Sequence, residues 1–218
     1  MQRGIFITLE GGEGGGKSTQ AKLLSEVLTT RGHQVMLTRE PGGSPGAEAI
    51  RALLVQGDTS RWEGLTEALL HTAARHDHLT KAIQPALARG MVVICDRFAD
   101  STMAYQGYGL GVDRAKLTSL YRMIAGNFQP DVTLILDLPV DVGLARANAR
   151  KTNVAESRYE NMAQMFHQRL REGFRTIAAA EPGRCRLIDA TRPIEAIHAD
   201  IAAAVLPICE NKVRRARS

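Results

Sequence analysis

The sequence predicts a single α/β domain: one five-stranded parallel sheet with helices on both faces. Five apolar, β-rich runs recur along the chain, helical patterns separate them, and a glycine-rich segment leads from the first run straight into the first helix. At 218 residues and 44% hydrophobic, the chain is long enough to bury one core of this kind.

The first run is Ile5–Leu9. Glu10 follows, and then Gly11-Gly12-Glu13-Gly14-Gly15-Gly16-Lys17-Ser18 opens a helical stretch from Thr19 to Leu28. The spacing G-x-x-x-x-G-K-S between a strand and a helix is that of a phosphate-binding loop. Glycines let the backbone adopt φ > 0 and bring its N–H groups close to phosphate oxygens. Lys17 supplies charge for β- and γ-phosphates, Ser18 offers a hydroxyl to Mg²⁺, and the N-terminus of the helix adds a favourable dipole.

The second run, Gln34–Thr38, ends at Arg39-Glu40-Pro41-Gly42-Gly43, and a long helical pattern covers Glu67–Leu87. Met91–Cys95 is the third run, followed by Asp96-Arg97-Phe98. Val132–Leu136 is the fourth, followed by Asp137-Leu138-Pro139; Arg186–Ile188 is the fifth, and helix returns over Ile194–Val205. Continuous rather than alternating apolar character means that both faces of the sheet are covered. Ligands of such sheets bind beyond the carboxyl ends of the strands, so the polar segments after each run are where a site is expected.

Arg146 to Lys151 continues a helix that gives way to the polar stretch 152–157 before Arg158, which reads as a mobile lid over about 147–158. Arg146 and Arg150 are four apart and project from one helical face. The rest of 1–210 reads as one domain, and 211–218 as a basic, disordered tail. Lys212, Arg214, Arg215 and Arg217 supply four of the 28 basic residues, leaving 24 against 23 acidic ones. Such a nearly neutral body argues against a broad nucleic-acid face. Cys95, Cys185 and Cys209 are too widely spaced for a disulfide framework or a Cys-x-x-Cys metal site. With no leader-like start and no apolar run of membrane-spanning length, a soluble cytoplasmic protein is expected.

Taken together, Glu10–Thr19, Arg39–Gly43, Asp96-Arg97-Phe98 with Ser101, Ala104-Tyr105-Gln106-Gly107-Tyr108-Gly109 and Asp189-Ala190-Thr191 resemble, in order, the motifs of thymidylate kinases. The resemblance implies a P-loop NTPase fold of nucleoside monophosphate kinase architecture. It also implies Mg-ATP-dependent phosphorylation of dTMP to dTDP in dTTP biosynthesis, and a homodimer. Gly11 to Thr19 would hold ATP, while Ser18 and Asp96 would hold Mg²⁺. Arg97 would clamp the 5′-phosphate of dTMP, with Asp96 orienting it and Arg51 adding a contact or orienting Glu40. Arg75 would bond thymine, Thr102 would read the N3 edge, Pro41 would line the 5-methyl space, Tyr105 would lie against the deoxyribose, and Gln106 belongs to the same pocket. Glu13 would hold the sugar or an acceptor-side arginine, and adenine would lie near Ala190-Thr191.

Two departures carry expectations of their own. His71 stands where the family usually has phenylalanine, which predicts a weaker stacking platform or a sensitivity to pH near 6.5, the ordinary histidine value. Gly14 stands where some members carry a loop arginine, so the lid residues Arg146, Arg150 and Arg158, Arg150 foremost, are expected to supply positive charge to the transferred phosphoryl group, with Lys151 in reserve. Ser157 replaces a common aspartate, which leaves the anchoring of that lid open. A kinase for another nucleoside monophosphate is the alternative within enzymes; a nucleotide switch or a DNA-associated ATPase is the alternative outside them.

Overall fold

The first strand, β1 (Ile5–Glu10), is the centre of the sheet, and both of its neighbours are distant in sequence. The computed structural model describes residues 3–149 and 158–217. After β1 come α1 (Lys17–Thr30), β2 (Val35–Arg39), α2 (Pro45–Val55) and α3 (Gly64–His78). A π-helical turn, Leu79–Ile83, joins α3 to α4 (Gln84–Ala88), so the long helical pattern of the sequence is one nearly continuous rod. Then follow β3 (Val92–Asp96), α5 (Ala99–Thr102) with a π-helical extension Met103–Gly109, and α6 (Arg114–Ala125). The last elements are β4 (Val132–Asp137), α7 (Val140–Ala149), α8 (Gln164–Ala180), β5 (Cys185–Asp189) and α9 (Ile194–Arg217). The backbone over 211–217, expected as a tail, is the end of α9.

All strands are parallel in the order β2-β3-β1-β4-β5. Parallel neighbours require crossovers, and the helices that make them cover both faces. Side chains alternate along β1. Ile5, Ile7 and Leu9 pack with Leu24 and Leu28 of α1 and Ile201 and Val205 of α9. Phe6 packs on the opposite face with Leu79, Ile83 and Leu87. On that second face the strand turns polar toward its carboxyl end, where Thr8 bonds Thr133 at 2.8 Å and Glu10 is fully buried. A third cluster packs Tyr105, Phe166, Leu170 and Phe174 against Ile135 of β4.

The segments leaving the carboxyl edge are tied to the sheet by backbone bonds. Arg97 N–H donates to Leu9 O at 2.8 Å, Glu40 N–H to Asp96 O at 2.9 Å, and Ala190 N–H to Asp137 O at 2.8 Å. The first residues beyond β3, β2 and β5 are therefore as fixed as the strands themselves. They converge where β1 parts its two neighbours, the switch point of an open α/β sheet.

Candidate functional site

The phosphate loop and one adjoining cavity form the site. In the loop, Lys17 Nζ donates to the carbonyls of Gly11 at 3.1 Å and Gly12 at 2.7 Å. Burial, reinforced by the Arg97 cation, pushes the Lys17 ammonium down to about 8, although Glu13, Asp96 and Glu10 pull the other way. Gly14 takes φ +70°, and a Cβ there would sit 2.0 Å from Gly143 O; a Cβ on Gly143 would sit 2.5 Å from Glu13 O. The loop therefore rests backbone against backbone on α7, the helix that leads toward the expected lid.

Ser18 Oγ donates to Asp96 Oδ2 at the mouth of the loop. A hydroxyl and a carboxylate oxygen side by side are the hard donors that suit Mg²⁺, which usually takes one or two protein oxygens and completes its shell with phosphates and water. Among the described residues no group of three or more His, Cys, Asp or Glu is arranged to hold a metal ion by itself.

The cavity has a volume of about 140 Å³. Glu13, Pro41, Arg51, His71, Arg75, Arg97, Thr102, Tyr105 and Gln106, the nine expected acceptor-side residues, all line it. At one end stands Arg97, at φ +70°, a left-handed conformation that costs a side-chain-bearing residue about 1–2 kcal/mol. The bend is held from beyond. Buried Glu10 accepts from Phe98 N–H at 2.8 Å and from Ser101 Oγ, and burial next to Asp100 raises its carboxyl to about 7. The Arg97 guanidinium donates from Nη2 to Glu13 Oε1 at 2.9 Å and from Nη1 to Gly11 O at 2.9 Å, and lies 4.9 Å from the Tyr105 ring centre. The Tyr105 hydroxyl donates to the same Glu13 oxygen at 2.6 Å. Burial alone would raise Glu13, but the Arg97 and Lys17 cations outweigh it and hold the carboxyl at about 2.

At the other end Arg75, 3% exposed, donates from Nε to Glu40 Oε2 at 2.7 Å and from Nη2 to Phe98 O and Thr102 Oγ1 at 3.0 and 3.1 Å. Gln106 Nε2 donates to Glu67 Oε1 at 2.7 Å. His71 Nε2 is 3.0 Å from the Tyr159 hydroxyl. Burial, helped by the Arg75 and Arg97 cations, pushes the imidazole down to about 3. The expected sensitivity near pH 6.5 is corrected: this ring is neutral throughout that range.

The expectation for Arg158 needs correcting as well. Arg158 does not stand free on a lid; it is 2% exposed, pairs with Glu67 at 2.5 Å, and donates to the carbonyls of Leu54, Asp58 and Thr59. Those carbonyls sit at and beyond the end of α2, where backbone acceptors have no helical partner, and a guanidinium satisfies several at once. Arg146 donates to Ala190 O at 2.8 Å and Thr191 O at 3.3 Å, on the side expected for adenine. Asp96 accepts from Ser18, while Arg97 is oriented by Glu13 and Gly11. Arg51 donates to Pro41 O at 2.9 Å; Glu40 is held by Arg75 and His78. Arg150 and Lys151 lie outside the described residues.

Sequence reasoning missed Tyr159 and Glu160 in the cavity wall. Tyr159 bonds Glu67 at 2.9 Å and meets the Tyr105 ring edge-on at 5.3 Å. Their adjacency to Arg158 was the available signal.

A family model described as thymidylate kinase matches residues 9–201. A thymidylate kinase of Caulobacter vibrioides is 52% identical, covering 94% of this chain and 98% of that protein. One from Geobacter sulfurreducens is 48% identical over 97% and 99%. Among solved structures, thymidylate kinase from Ehrlichia chaffeensis matches with a TM-score of 0.76 at 34% identity, covering 93% of this chain and 99% of that one.

Proposed function

The chain belongs to the thymidylate kinase family and phosphorylates dTMP to dTDP with ATP, and from that premise we propose how its residues divide the work. The observation that carries the reading is the joining of the phosphate loop to the acceptor cavity through Glu13 and Arg97.

Gly11 to Thr19 cradle the donor phosphates, with Lys17 spanning the transferred group. Arg97 binds the 5′-phosphate of dTMP, since a planar fork suits phosphate oxygens. Arg75 bonds the thymine edge, Thr102 and Gln106 line the base, Pro41 borders the 5-methyl group, His71 faces the ring, and Tyr105 packs against the sugar. Arg51 braces the Pro41 segment. Ser18 and Asp96 would hold Mg²⁺, which neutralises developing charge between the donor phosphates when bound.

The attacking oxygen belongs to a phosphate already ionised near neutral pH, so no general base is required. The protein's task is to bring two anions into line and to exclude water. Arg150 of the lid supplies charge to the transferred group. Arg146 frames the donor base through Ala190 and Thr191, and Arg158 acts from the wall by fixing Tyr159. Exposed Leu53, Leu65, Leu69 and Met123 on α2, α3 and α6 support a homodimer. The buried Cys95, Cys185 and Cys209 suit the reducing cytoplasm, and among the described residues no helix is long and apolar enough to cross a membrane.

Coupled ADP release with dTMP, dUMP, dCMP, AMP, GMP and CMP as acceptors tests the reading. Turnover is expected with dTMP above all others; silence with dTMP overturns it.

A further inference from the structure

The acceptor cavity ends on a buried network whose outer members touch no part of it. Glu40 follows the last residue of β2, and its backbone is held by Asp96 O, so its carboxylate enters the cavity wall from a fixed point. Oε2 accepts from Arg75 Nε at 2.7 Å, and Oε1 accepts from His78 Nδ1 at 3.1 Å. Arg75 and His78 are three apart on α3, so both reach one carboxylate. Because a carboxylate only accepts, Nδ1 of His78 carries the proton of that bond. On the far side of the ring, Nε2 meets Thr38 Oγ1 at 2.8 Å.

His78 is completely buried, and the exposures of Glu40 and Arg75 are 6% and 3%. Room for the ring depends on Gly43, at φ +85°: a Cβ there would lie 2.3 Å from His78 Nε2 and 2.5 Å from Thr38 Oγ1. Arg75 commits Nε and Nη2 to protein acceptors, and among the described residues Nη1 makes no hydrogen bond. That nitrogen is the donor left for a base, and its aim follows the plane of the guanidinium. The plane is set by Glu40, and Glu40 in turn needs a donor on its second oxygen.

We propose that His78 is a positioning residue for recognition of the acceptor base, holding Glu40 so that Glu40 holds Arg75, with Thr38 anchoring the outer edge of the imidazole. The inference rests on the assignment of Arg75 to thymine made above. Without His78, Oε1 is a buried acceptor with no donor, and both the carboxylate and the arginine it carries gain freedom to rotate. The loss falls on dTMP binding, since none of the four side chains reaches the phosphate loop.

Steady-state kinetics of His78→Phe, His78→Asn, Thr38→Val and Arg75→Ala test this against both substrates. His78→Phe keeps a ring but removes the donor, and is expected to raise the dTMP KM about tenfold with kcat and the ATP KM within about twofold. His78→Asn, whose amide lies near the Nδ1 position, is expected to restore the dTMP KM to within about threefold of the parent. Arg75→Ala raises that KM at least as much as His78→Phe. If Arg75→Ala raises it and His78→Phe does not, the relay is overturned while the base assignment stands. An unchanged dTMP KM in Arg75→Ala overturns the base assignment instead. A His78→Phe protein that loses kcat and ATP binding equally, with no recovery in His78→Asn, marks a merely structural histidine and also overturns the proposal. Should His78→Phe not fold, Thr38→Val, which removes only the outer anchor, is expected to raise the dTMP KM about two- to fivefold, and no change overturns the relay.

Discussion

Arg97 Nη2 donates to Glu13 Oε1 across 2.9 Å, and this one ion pair couples the phosphate loop to the cavity beside it. Both side chains are only 18% exposed, so the pair is screened little by solvent. In Glu13→Gln the guanidinium and the Tyr105 hydroxyl lose a charged acceptor worth about 1.5–3 kcal/mol. The expected result is a fall in kcat/KM for dTMP of about ten- to a hundredfold, measured by steady-state kinetics, with a folded protein by circular dichroism.

Lys17 gives a pH-dependent prediction. Its ammonium is held down at about 8 by burial, while donor phosphates favour the charged form. Binding ATP should therefore take up a proton when the free enzyme is near or above that pH. The ATP KM is expected to stay level from pH 6.5 to about 8 and then to rise, approaching tenfold per unit. Calorimetry in two buffers of different ionisation enthalpy detects the proton; a level KM to pH 9.5 with no uptake contradicts the shift.

For His71 the expected outcome is an absence of titration. With the folded value near 3 and the unfolded value near 6.5, the ring is neutral in the native protein wherever the enzyme works. The dTMP KM of the parent and of His71→Phe should follow parallel profiles from pH 5.5 to 8. Stability behaves differently. The unfolded chain binds the proton first, so this residue's contribution is complete above about 6.5 and lost as pH falls toward 3. Thermal melts should show His71→Phe losing less Tm than the parent on acidification.

Arg158 separates a structural role from a catalytic one. Replacing it by Met leaves Glu67 buried without its cation, a loss of about 3–5 kcal/mol that lowers Tm by on the order of ten degrees. Adding Glu67→Gln to Arg158→Met should recover part of it. A phosphoryl clamp would instead lose about a thousandfold in kcat with Tm unchanged.

The loop motif, the strand-end arginine and the parallel sheet were legible because each rests on contiguous residues whose spacing is itself the signal. Strand bounds read from apolar runs were off by only a residue or two, as with Val35–Arg39 against 34–38. The partners of the charged groups were not legible. Arg158 lies 91 positions beyond Glu67, and nothing local to either predicts that they meet in the interior. Read on its helix alone, His78 is one of several histidines; only the folded arrangement sets it against Glu40 and Thr38. Lid chemistry was misread for Arg158 for the same reason. Position along the chain announces a loop, but the unsatisfied carbonyls that capture a guanidinium belong to another helix.

Gly14 and Gly143 touch through their backbones, with no space between them for a side chain. A side chain at position 14 and α7 in its present place are thus mutually exclusive in this backbone. An arginine grafted at position 14 would have to displace α7. Making room for a side chain at either glycine therefore requires the loop and α7 to be altered together.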